Sequence, residues 1–220
     1  MAVTGTSSAA EQTAGLAWQS SLFGLAPIDG DPSFATLCRH ALDEHAWVDH
    51  APGWLGGADR LFALLVEQVA WTEREMPMYG QMVAQPRLSA WWSGRAPGGV
   101  SEEVRNAVEG MARTLDRRYG VRFDSVGCNL YRNGADSVAF HGDRHARRPA
   151  HADAVVAIVS LGAARRFLLR PRGGGPSVRF TPASGDLLVM AGSCQRTWQH
   201  SIPKVAAAGA RISVSFRHRC

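Results

Sequence analysis

The chain has 220 residues, 45% of them hydrophobic, which suits one packed domain, or one with an N-terminal extension, and argues against global disorder. No apolar run is long enough to cross a bilayer as a helix, so no membrane association is expected. The formal net charge of +5 is unevenly divided: residues 1–120 hold 9 Arg against 14 Asp and Glu (net −5), residues 121–220 hold 15 Arg and Lys against 5 Asp (net +10), and the second part is expected to meet something anionic.

Residues 1–15 are small and polar, without the basic start and apolar centre of a secretory signal, and are expected to form a flexible tail. The cysteines Cys38, Cys128, Cys194 and Cys220 are widely spaced and form no CxxC pair, which argues against a disulfide framework or a zinc knuckle and for a reducing, cytoplasmic setting. Asp31-Pro32 opens a helical pattern to about Trp47, with Phe34, Leu37, Ala41 and Leu42 at helical spacing. A second helix is expected from Ala58 to about Arg74, with Leu61, Leu64, Leu65 and Val69 on one face. A third begins at the N-cap Ser101, has Glu102 and Glu103 at its positive end, and stops at Gly120. Between the second and third lies an extended stretch, Met76 to Gly99.

Beyond Gly120 short alternating or apolar runs take over, at Ser125–Tyr131, Ser137–Asp143, Ala154–Leu161, Arg166–Leu169, Asp186–Ala191, Thr197–Ile202 and Arg211–Phe216, with turn-forming residues between them. Helices followed by many short strands predict an α+β fold, with the helices of residues 16–120 preceding a jelly-roll core over residues 121–220 in one catalytic domain overall.

His141-Gly142-Asp143 ends one of these strands, and side chains two apart on a strand share a face. A third ligand from a distant strand, His200, would complete a face of two histidines and one carboxylate that leaves open positions on Fe(II). An HxD pair alone is common among surface polar residues. Arg211 and Arg217, six apart in RISVSFR and so on one strand face, sharpen the reading, because guanidinium groups grip the two carboxylates of a dicarboxylate such as 2-oxoglutarate. Arg144, Arg147 and Arg148, just after the metal motif, are placed to hold phosphates.

The ordered blocks NLY (129–131), HGD (141–143), VSLGAARRF (159–167), SGDLLVMAG (184–192), WQHSIP (198–203) and RISVSFR (211–217) resemble the AlkB family of dioxygenases, nearest its nucleic-acid-repair members. The resemblance implies a double-stranded β-helix holding Fe(II), with 2-oxoglutarate and O2 as cosubstrates. Position by position it implies His141, Asp143 and His200 as metal ligands, Asn129 and Arg217 at the metal-proximal carboxylate of 2-oxoglutarate, and Tyr131 and Arg211 at the distal one. Ser213 stands where some members have asparagine. Trp92 falls near an aromatic position on the substrate side, and His145 stands where repair members carry an acidic residue that meets the base. The implied activity is oxidative demethylation of alkylated bases, DNA ahead of RNA, releasing succinate, CO2 and formaldehyde, with no obligate protein partner. The same chemistry on a protein side chain or small molecule is the alternative. A non-catalytic metal-binding jelly roll or a zinc hydrolase is the alternative of another class, against which Arg211 and Arg217 count.

Overall fold

The computed structural model describes residues 13, 15–16, 27–78, 80–94, 97–143 and 153–218. Arg144, His145, Arg147 and Arg148 lie outside them, as do nearly all of residues 1–15. In chain order the elements are β1 (Cys38–Ala41), β2 (Ala46–Ala51), α1 (Ala58–Gln68), β3 (Thr72–Met78), β4 (Gln81–Ser93), α2 (Glu102–Tyr119), β5 (Ser125–Tyr131), β6 (Val138–His141), β7 (Val156–Gly162), β8 (Phe167–Pro171), β9 (Val178–Phe180), β10 (Leu187–Gly192), α3 (Cys194–Thr197), β11 (Trp198–Ile202) and β12 (Arg211–Arg217).

The strands form two sheets, one of eight in the order β1-β2-β10-β7-β12-β5-β4-β3 and one of four in the order β6-β11-β8-β9, and the pairings are antiparallel. From β5 onward the chain passes back and forth between the sheets, which is the jelly-roll winding of a double-stranded β-helix. The two-residue period of each central strand sorts its side chains. Ile212, Val214 and Phe216 of β12, Val126, Cys128 and Leu130 of β5, and Ala157, Val159 and Leu161 of β7 pack with α1 and α2 in the larger core. Val156 and Ile158 of β7 and Leu188 and Met190 of β10 face the smaller sheet in a second core with Phe167, Leu169 and Phe180. The other face of β12 therefore points its polar residues, Arg211, Ser213, Ser215 and Arg217, between the two sheets.

The helix expected from Asp31 to Trp47 is absent; that stretch is a turn followed by the hairpin β1–β2. Asp31 does accept from Ser33 N (2.8 Å) and Ala35 N (2.9 Å), but this cap closes a turn in which Phe34 has φ 52°. Asp43 then accepts from His45 N and Ala46 N and turns the chain into β2, whose pairing with β10 outweighs the weak local helical spacing. The second helix ends at Gln68, six residues before the expected Arg74, and the chain enters β3. The third matches: Ser101 Oγ accepts from Val104 N and Gly120, at φ 64°, caps the other end.

Candidate active site

β6 and β11 are neighbours in the smaller sheet, and His141 and His200 are direct cross-strand partners. Their rings lie 4.3 Å apart between centroids, and Phe167 of β8 stacks on His200 at 5.3 Å and 14°. His141 Nδ1 lies 2.9 Å from the Ala139 carbonyl oxygen; with Nδ1 donating there, Nε2 carries the free lone pair. β6 ends at His141, so Asp143 does not reach the site by strand alternation as the sequence suggested. It is placed by a turn, in which Asp143 N donates to Gln195 Oε1 at 3.0 Å. Gly142 permits that turn, because a Cβ there would run into the Arg172 guanidinium and come within 3.1 Å of the Gln195 carbonyl oxygen. The ligand atoms of His141, Asp143 and His200 all lie within 4.8 Å of one another.

The electrostatics suit a divalent cation. Burial by itself would raise the Asp143 carboxyl, but the Arg217 guanidinium (Nε–Oδ2 3.1 Å, Nη2–Oδ1 3.2 Å) and the two imidazoles outweigh it and hold the group well below the usual carboxylate range. Burial pushes His200 down to about 3, so its imidazole is neutral and able to donate a lone pair at neutral pH. Two imidazoles and a carboxylate, with no fourth side chain in the cluster among the described residues, form a face open on one side.

That side opens on a cavity of about 250 Å³ lined by Arg87, Ser89, Trp91, Asn129, Ser213 and Arg217 among others. Asn129 Oδ1 accepts from Arg87 Nε (3.1 Å) and Ser89 Oγ (3.0 Å), both of β4. Deeper between the sheets Arg211 is 1% exposed. Its Nη2 donates to Ser160 Oγ at 2.9 Å, its guanidinium lies 5.5 Å from the Tyr131 ring, and its Nε and Nη1 have no hydrogen-bond partner among the described residues. Burial lowers its pKa to about 10, so it remains charged at neutral pH. A buried guanidinium with two unused donors fits an anion with bidentate geometry, and Tyr131, whose burial pushes its phenol up, stays a neutral hydroxyl beside it. The residues present therefore fit both Fe(II) and a dicarboxylate cosubstrate.

The structure brings together Asn129, Tyr131, His141, Asp143, His200 and Arg217 around this cavity, with Arg211 just beneath. Trp92 is not among them. It packs against the helix-side core with Leu88 and Ala90, while Trp91, one residue earlier on β4 and therefore on the opposite face, forms the wall. A Cβ at Gly127 would run into the Trp91 ring, so this glycine lets the indole lie flat across β5, with Arg217 5.0 Å from it. Sequence reasoning missed Trp91, Arg87 and Gln195. The even spacing of Arg87, Ser89 and Trp91 was the signal for the first two; nothing in the sequence marks Gln195.

A jelly roll with two histidines and an aspartate at one end of its smaller sheet, and inward arginines on its last strand, has the donor set that Fe(II) and a dicarboxylate require. The chain belongs to the 2OG-Fe(II) oxygenase superfamily, which residues 56–217 match. It is 33% identical to the human alpha-ketoglutarate-dependent dioxygenase alkB homolog 3 over 73% of this chain and 61% of that protein. It is 28% identical to the DNA oxidative demethylase ALKBH2 of Arabidopsis thaliana over 71% of this chain and 60% of that protein. The chain thus spans about three fifths of the curated relatives it matches. The solved structure of OsALKBH1 shares the fold at a TM-score of 0.52 and 14% identity, over 83% of this chain and all of that one. No helix among the described residues is long and apolar enough to cross a membrane.

Proposed function

We propose that this chain is an Fe(II)- and 2-oxoglutarate-dependent dioxygenase that demethylates alkylated bases of nucleic acid, DNA ahead of RNA, in the cytoplasm. The observation that carries it is the pairing of an open His141–Asp143–His200 face with a fully buried Arg211 whose donors await an anion. Bound at that face, Fe(II) with 2-oxoglutarate and O2 supplies oxidation of a substrate C–H bond, coupled to loss of CO2 from the cosubstrate and formation of succinate.

The protein's residues do the rest. Arg211 and the Tyr131 hydroxyl hold the distal carboxylate; Arg217 and Asn129 hold the end beside the metal. Ser213, shorter than the asparagine of some relatives, adds room rather than a second amide. The Phe167 ring stacked on His200 fixes the imidazole's orientation, and the Trp91 indole walls the cavity. Trp91, on the cavity wall and 43% exposed, offers a flat face to an unstacked base, and a base in a duplex must leave the stack to reach it. The names of the relatives, a DNA oxidative demethylase among them, support this substrate class over a protein side chain. The free thiols Cys38, Cys128 and Cys194 support the cytoplasmic placing.

The test is mass spectrometry of oligonucleotides carrying N-methylated bases after incubation with Fe(II), 2-oxoglutarate and ascorbate. Loss of 14 mass units per lesion, roughly one CH2, with stoichiometric succinate is expected. Succinate formed with no change in any methylated oligonucleotide would move the substrate to another class and leave the cofactor reading standing.

A further inference from the structure

The smaller sheet has an outer face that the metal site does not use. Inward, β8 and β9 bury Phe167, Leu169 and Phe180. Outward, by the same alternation, β8 presents Leu168 and Arg170, β9 presents Arg179, and β11 presents Gln199 and Ser201. The register places Arg170 directly opposite Gln199, and Leu168 between Ser201 on one side and Arg179 on the other. Phe140 of β6 joins them, with the Arg170 guanidinium 3.8 Å from its ring centroid. Phe140, Leu168, Arg170 and Ser201 border, with Lys204, a groove of about 440 Å³, and Arg179 stands outside it as the cross-strand neighbour of Leu168.

Three features of this groove point to a polyanion with flat rings. None of its lining residues is acidic. Arg170, Arg179 and Lys204 make no ion pair among the described residues, whereas Asp136, Asp143, Asp153 and Asp186, four of the five acids beyond residue 120, are engaged elsewhere with Arg132, Arg217, Arg196 and His50. Ser201, 3% exposed and on the groove wall, has a hydroxyl with no hydrogen-bond partner among the described residues. A guanidinium lying on an aromatic ring is a platform on which a base can stack, and cations spaced around it follow a sugar–phosphate chain.

The groove is also separated from the metal site only by the edge strand β6. β6 is the edge strand of its sheet; it sends His141 inward and the adjacent Phe140 outward, and Val138 borders both the cavity and the groove. We propose that this outer face binds the single-stranded nucleic-acid backbone flanking the base presented at His141, with Arg170, Arg179 and Lys204 on phosphates, Ser201 donating to a phosphate or sugar oxygen, and the Phe140–Arg170 platform under a neighbouring base. The proposal rests on the nucleic-acid reading of the site and adds where the rest of the strand lies.

The experiment is fluorescence anisotropy of a labelled, unmodified single-stranded oligonucleotide at several salt concentrations, with Arg170→Ala/Arg179→Ala/Lys204→Ala against wild type. Three lost phosphate contacts at about 0.7 each make the slope of log K against log salt shallower by about 2, with affinity near 0.1 M salt down at least about tenfold. Arg170→Lys/Arg179→Lys keeps the charges and so keeps the slope. Phe140→Ala lowers affinity at an unchanged slope. Thermal stabilisation by 2-oxoglutarate and turnover of a single methylated nucleotide, too short to reach the groove, stay at wild-type levels and report an intact site. Wild-type affinity and slope in the triple variant would overturn the proposal, as would displacement of the oligonucleotide by a polyglutamate peptide at equal charge concentration. If the wild type demethylates single nucleotides but binds no oligonucleotide, the groove is refuted alone. If it acts on neither, the nucleic-acid reading falls with it.

Discussion

Arg211 carries a full charge in the interior with two of its donors unsatisfied, which is unfavourable in the ligand-free protein. Replacing even a buried ion pair by apolar side chains of similar volume is often neutral or stabilising by about 1–4 kcal/mol, and a guanidinium without a counter-charge has less attraction to lose. Arg211→Met is therefore expected to raise the melting temperature of the ligand-free protein, by about 2–4 °C per kcal/mol for a chain of this size. The same variant loses the further rise that 2-oxoglutarate gives the wild type. A lower melting temperature, or a preserved response to 2-oxoglutarate, would remove Arg211 from the cosubstrate site. The neighbours Trp91 and Trp92 separate in the same way, since they stand on opposite faces of β4. Trp91→Ala takes away a stacking surface of about 1–3 kcal/mol and raises KM for a methylated oligonucleotide about tenfold or more, with little loss of stability. Trp92→Ala leaves KM unchanged and lowers stability by about 2 kcal/mol, less than the 3–5 of a fully buried ring. Steady-state kinetics paired with urea denaturation distinguish the two, and the reverse pattern would return the substrate role to Trp92.

At the scale of elements, the metal turn depends on a helix of four residues. α3 follows β10 and sets Gln195 so that its Oε1 accepts a hydrogen bond from the Asp143 backbone N–H while its Nε2 donates to Met190 Sδ at 3.5 Å. Gln195→Ala frees the turn without touching a ligand, and loss of such a support weakens metal binding about 10–100-fold. Calorimetric titration with Mn(II), which avoids oxidation, checks this; unchanged affinity would mean that the turn holds Asp143 unaided. Nothing in the sequence announced α3 or Gln195, because a single helical turn has no period to detect and a side-chain-to-backbone bond leaves no pattern. Most strands beyond residue 120 were legible because their alternation is set by two packed faces, so Ser125–Tyr131 and Arg211–Phe216 could be placed nearly to the residue, whereas β9, three residues with two of them exposed, was missed. β1 and β2 were not, because β1 is an exposed edge without an apolar face and β2 takes its conformation from β10, far along the chain. His141 with Asp143 and Arg211 with Arg217 were readable from even spacings, and His200 as a histidine on a distant strand; that Asp143 comes from a turn and Trp91 rather than Trp92 meets the cavity was a matter of register.

For the whole molecule, the sequence suggested a boundary near residue 120, with helices before it and a jelly roll after. The hydrogen bonding runs across that line. β10 pairs with β2 along six residues and β5 pairs with β4 along six, so β5 and β10 are interior strands of the eight-stranded sheet only because residues before 120 flank them. The larger core likewise joins Leu61, Phe62 and Leu65 of α1 and Val104, Val108 and Met111 of α2 to Leu130, Val159, Ile212 and Val214. Excised residues 121–220 would expose that face together with two unpaired edges, and about 25 cal/mol per Å² of apolar surface would no longer oppose the chain's conformational entropy. The fragment is expected to be insoluble or molten, with neither a cooperative urea transition nor a thermal shift on adding Mn(II) and 2-oxoglutarate. Residues 27–218, which keep both flanking strands and both helices, are expected to unfold in one transition and to bind both. Near-ultraviolet circular dichroism of the two pieces decides the matter, and a cooperative, ligand-responsive 121–220 fragment would show that the jelly roll is a domain in its own right.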